Sequence, residues 1–120
     1  MELWVETRSS DGLSNLRAQV CAMLKGLPGF NAQTGTNKRL LGNAAAVHDG
    51  SGERWVLLAW EPCHRAWQNP PVPCLHSDPK FPDCAPGETV SAKGILRFYK
   101  GGDIEAELAR LLASDWLQDR

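Results

Sequence analysis

The chain has 120 residues with 42% hydrophobic and 22% charged side chains, the proportions of one ordinary globular domain, here 1–120. Its formal net charge is -1, which gives no global field for nucleic acid or an anionic membrane. The longest apolar run, Trp55 to Trp60, is too short to span a bilayer. The first residues lack the charged start and long apolar stretch of a secretory signal, so the expected location is the cytoplasm.

The predicted elements follow in chain order. Glu2 to Arg8 alternates polar and apolar residues as a half-buried strand does. Asp11 can then cap a helix in which Leu13, Leu16, Val20, Met23, Leu24 and Leu27 share one stripe, ended by Gly26 and Pro28. On that assignment Cys21 is a core residue. Phe30 to Asn37 is a polar connection. Leu40 to Val47 is a small-residue strand, and the turn His48 to Glu53 leads into Arg54 to Glu61. That last run is apolar on both faces, as a central strand covered on both sides would be. Glu88 to Lys100 alternates again, with Gly94 marking a bulge or a close backbone approach. Gly101 and Gly102 turn the chain into a final helix, whose buried stripe is Ile104, Leu108, Leu111, Leu112 and Trp116.

The expected fold is therefore α+β, ordered β-α-β-β-(long Pro/Cys-rich loop)-β-α. It comprises an antiparallel or mixed sheet of about four strands with two helices on one face. Exposed sheet edges make a homodimer the expected assembly.

The chemistry is concentrated in one stretch. Seven of the eight prolines, three of the four cysteines and two of the three histidines fall between Pro62 and Pro86. Long loops without regular structure tend to be functional or disordered, and Trp67, Val72, Leu75 and Phe81 supply apolar anchors that favour order. This segment is expected to be fixed and to cover part of the sheet.

Three functions compete for it. The leading expectation is a small binding module walled by Trp60, Trp67 and Phe81, with His64 or His76 as polar contacts, because indoles combine wide apolar area with a single donor. The second is a Cys/His enzyme. Cys63 or Cys74 would be its nucleophile, His64 or His76 its base, and Asp78 or Asp83 the orienting group. The third is a zinc-stapled interaction domain using Cys63, Cys74, His76 and Cys84, although the stretch lacks the Cys-x2-4-Cys pairing usual in structural zinc sites. Buried, unreactive cysteines are the plain alternative to all three. A basic strip of Lys38, Arg39, Lys93, Arg97 and Lys100 fits solvated strand faces better than nucleic-acid binding.

Overall fold

The computed structural model describes residues 1–31 and 36–116. The connection expected over Phe30 to Asn37 therefore falls partly outside the described residues. In chain order the elements are β1 (Glu2–Glu6), β2 (Cys21–Met23), β3 (Lys38–Leu41), β4 (Ala44–His48), β5 (Arg54–Glu61), β6 (Cys63–Trp67), β7 (Cys74–Pro79), β8 (Thr89–Lys100) and α1 (Ile104–Ala113). Strands β1-β8-β5-β4-β3 form a five-stranded sheet and β2-β7-β6 a three-stranded one, and every pairing is antiparallel.

The α+β expectation of one sheet with two helices on one face is overturned. The domain is mostly β, with two sheets and one helix among the described residues. The small sheet covers one face of the large sheet and α1 covers the other.

Alternation in β4 and β5 builds both cores. Val56, Leu58 and Trp60 join Ala45 and Val47 on the small-sheet side, with Leu24, Phe30, Leu75 and Phe81 opposite. Trp55, Leu57 and Ala59 join Ala44 and Ala46 on the other side, against Ile104, Leu108, Leu111 and Trp116. β5 is the middle strand of the large sheet, so its apolar run is buried on both faces as expected. Gly94 proves to be a close approach: a Cβ there would lie 2.5 Å from the Trp60 ring opposite.

The final helix forms where the sequence predicts it. Asp103 caps it by accepting a 3.0 Å bond from the Ala106 N–H, and Glu105 and Glu107 complement the dipole of its first turn. Arg39 on β3 and Arg97 on β8 pair with Glu105 and Glu107 at 3.2 and 3.7 Å.

Two other expectations fail for identifiable reasons. The stretch 13–27 is not a helix. It lies extended along 74–84, through the bridges Leu13↔Cys84 and Arg17↔Lys80 and through β2 paired with β7. The core side takes Leu16, Ala18, Val20, Ala22 and Leu24, while Arg17, Gln19, Cys21, Met23 and Lys25 are exposed. That is a period of two. Positions 16, 20 and 24 satisfy a helical stripe equally well; Ala18 and Ala22 are what distinguish the strand. The expected strand Leu40 to Val47 is in fact a hairpin, β3 and β4, turned by Gly42 in the left-handed region (φ 56) and Asn43.

The Pro/Cys-rich stretch does lie over the large sheet, but as β6 and β7 rather than as an irregular loop. Ser77, fully buried on β7, ties the layers together. Its hydroxyl donates to the Asn43 carbonyl at 2.7 Å and accepts from the Trp60 N–H at 3.1 Å. No helix among the described residues is long and apolar enough to cross a membrane.

Candidate metal centre

Strand alternation on β7 sends Leu75 and Ser77 toward the large sheet and Cys74, His76 and Asp78 to the opposite face. Direct antiparallel partners share a face. The register sets Cys21 and Trp67 on either side of His76, Met23 beside Cys74, and Arg65 beside Asp78. One row across three strands thus reads Cys21, His76, Trp67, with Cys74 diagonal to Cys21.

Within that row the ligand atoms of Cys21, Cys74 and His76 all lie within 4.8 Å of one another. Cys74 Sγ and His76 Nε2 are 3.3 Å apart. A zinc ion with Zn–S of about 2.3 Å and Zn–N of about 2.0–2.1 Å in tetrahedral geometry needs ligand atoms roughly 3.5–3.8 Å apart. The three side chains are therefore within about an ångström of a metal-ready arrangement. Cys21 is exposed, whereas Cys74 and His76 are buried.

The surroundings hold the histidine in place. The Trp67 indole stacks on the His76 ring, with centroids 3.8 Å apart and planes at 20°. The Arg65 guanidinium lies over Trp67 at 4.9 Å. Asp78 fixes both, accepting from Trp67 Nε1 at 2.8 Å and Arg65 Nε at 3.1 Å. Its other oxygen accepts from the Val20 N–H at 3.0 Å, just before β2. Lys38 is buried on β3, and its ammonium donates to the carbonyls of Asn69 and Val72 at 2.6 Å each.

The electrostatics favour the neutral forms of the Cys74 thiol and the His76 imidazole. Burial pushes the Cys74 thiol up, the neighbouring Cys21 adds to this, and the Lys38 charge opposes it. Burial lowers the basicity of His76, and the charges of Lys38 and Arg65 lower it further, against the opposite pull of Asp78. Lys38 is itself shifted down by burial, and the two thiols offset part of that. A reactive catalytic cysteine needs the reverse, a depressed thiol beside a charged imidazole. The Cys74–His76 pair consequently lacks the character of an activated nucleophile. Neutral imidazole is also the ligating form of histidine.

The other candidates go elsewhere. Cys63 is half-buried, with its Sγ 3.7 Å from the Ser77 hydroxyl on the core side of β7, and burial raises its thiol. Cys84 is buried and donates to the Glu88 carbonyl at 3.2 Å. His64 is exposed and pairs through Nε2 with Arg17 at 3.0 Å. Asp83 is exposed. Trp60 and Phe81, expected as pocket walls, lie in the core between the sheets, away from Trp67 on the opposite face. Of the four sulfur and imidazole ligands read from the sequence, Cys74 and His76 come together. The third member, Cys21, is a core residue on the helix reading of 13–27; the alternation of 16–25 is the signal that places it on a strand facing outward.

Three comparisons with known proteins return nothing: no protein family, no curated protein and no solved structure matches this chain.

Proposed function

We propose that this protein is a zinc-binding module whose centre is formed by Cys21, Cys74 and His76. The observation that carries the proposal is the convergence of two sulfurs and an imidazole nitrogen within 4.8 Å of one another, from two paired strands. Thiolate and imidazole are the donors that suit tetrahedral zinc. Three protein ligands leave one vertex for water or for a single donor atom of a bound molecule, the pattern of open zinc sites rather than closed structural ones. Exposed Cys21 puts that vertex within reach of solvent, and the Trp67–His76 stack supplies a flat apolar wall beside it. All four cysteines are free thiols, in keeping with a reducing compartment and hence with the cytoplasm.

Zinc binding must displace the protons of both thiols. Affinity should therefore rise with pH, by at most about a hundredfold per unit while both remain protonated. The experiment is a zinc titration against a competing chelator at two pH values, on the wild-type chain and on Cys21→Ser and Cys63→Ser variants. The expected result is one zinc per chain, tighter at the higher pH, bound much more weakly by Cys21→Ser and unchanged in Cys63→Ser. Absence of stoichiometric zinc, or equal weakening by both variants, would overturn the assignment.

A further inference from the structure

A cavity opens where β5 begins and β8 ends. There the turn after β2 leaves a cavity of about 340 Å³, lined by Leu27, Phe30, Trp55 and Phe98 and rimmed by Arg54 and Lys100. The volume sits at the small end of the range typical of ligand sites, roughly 300–1,000 Å³. Register explains its character. Arg54 and Lys100 are direct cross-strand partners, and the next pair on the same face is Val56 and Phe98. Two cations thus face each other at the mouth, with an apolar floor immediately beyond.

Like charges directly opposite destabilise a strand pair unless something neutralises them. Asp49 neutralises one. Its Oδ2 accepts from Arg54 Nε at 2.6 Å, and its other oxygen is occupied by the Ser51 hydroxyl at 2.6 Å. The guanidinium is held over Gly29, where a Cβ would come within 2.9 Å of it. Lys100 has no ion-pair partner among the described residues. The rim is left with one uncompensated positive charge. Below it Phe98 is 68% exposed and Leu96, on the same face, 43%, an apolar surface that solvates poorly.

We infer that this cavity binds a small organic monoanion with an apolar body, its carboxylate between Arg54 and Lys100 and its hydrocarbon along Phe98. The site shares no residue with the Cys21–Cys74–His76 centre, and the inference stands independently of the zinc proposal. The test is a calorimetric titration of the full chain with decanoate and, separately, with decanol, repeated on Lys100→Gln and Phe98→Ala. Phe98 is exposed enough for its truncation to leave the fold intact, which circular dichroism checks. Saturable one-to-one binding of decanoate is expected, tighter than that of decanol. Lys100→Gln should weaken decanoate about two- to fivefold without moving decanol, as the loss of a rim ion pair would. Phe98→Ala should weaken both about tenfold. Absence of saturable binding, or equal affinity for acid and alcohol with no response to Lys100→Gln, would overturn the inference. So would sedimentation showing a dimer that Phe98→Ala dissociates and decanoate does not, since the apolar floor would then belong to a second copy of the chain.

Discussion

Replacing Ser77 with Ala isolates the polar tie between the two sheets. The residue is fully buried, and its hydroxyl is the partner of two backbone groups at once, the Asn43 carbonyl and the Trp60 N–H. Asn43, in the turn between β3 and β4, and Trp60, near the end of β5, lie beyond the last pair of the β4–β5 ladder, Ala44↔Ala59. Alanine keeps the backbone and removes only the oxygen. Each stranded buried group costs about 1–3 kcal/mol, so with two of them the variant should lose about 2–6 kcal/mol. For a chain of this length that corresponds to a melting temperature lower by about 8–24 °C. Urea denaturation of both proteins, with the slope m unchanged, is the assay. A loss below about 0.5 kcal/mol would refute the reasoning, because it would mean that neither backbone group depends on the hydroxyl.

Two further outcomes follow from the same packing logic. Gly94→Ala places a methyl group 2.5 Å from the ring of Trp60, a side chain only 2% exposed. Overpacking of that kind costs about 1–3 kcal/mol, and a thermal unfolding curve superimposable on wild type would contradict the contact. Asp49 accepts bonds from Ser51 and Arg54, and these, with the charge of Arg54, outweigh its burial and hold its carboxyl well below the usual carboxylate range. Its folded pKa lies below its unfolded one, so the stabilisation is present above the unfolded value, about 3.9. It is lost as pH falls below that value toward the folded pKa. Asp49→Asn should therefore be less stable than wild type at neutral pH and converge on it in acid; a constant difference across that window would remove Asp49 from the acid response.

Three strands of the large sheet, β1, β5 and β8, and the helix are legible in the sequence because each shows a single periodicity. β5 is read from its unbroken apolar run, and α1 from the glycine turn before it and its apolar stripe. The stretch 13–27 misled because leucines and a valine four residues apart, at 16, 20 and 24, serve a helix and a strand alike. Locally only Ala18 and Ala22 tip the tie toward a strand, and two small side chains tip it weakly. It is broken by Cys74 to Cys84, a partner more than fifty residues away, and strand pairing decides over local propensity. The hairpin of β3 and β4 was hidden by the alanine run, although Gly42 and Asn43 are turn residues. The same ambiguity of 13–27 hides one member of the metal-site cluster. Cys74 and His76 were visible as a Cys-x-His pair, which on a strand puts both side chains on one face. Cys21 was unreadable as a ligand until β2 became a strand. The lack of a Cys-x2-4-Cys pair argues against the set with Cys63, and the structure separates Cys63 from the pair by a register shift between Cys63 and Arg65 on β6 and by its contact with Ser77 on the other face of β7.

X-ray absorption at the zinc edge of the zinc-loaded protein addresses the coordination sphere itself. The account predicts two sulfur scatterers at about 2.3 Å and imidazole nitrogen, together with a further light atom, at about 2.0–2.1 Å. Replacing Cys21 with Ser should reduce the sulfur count by one. A shell of oxygen and nitrogen alone, or a sulfur count unchanged in that variant, would contradict the assignment of Cys21, Cys74 and His76 as the zinc centre.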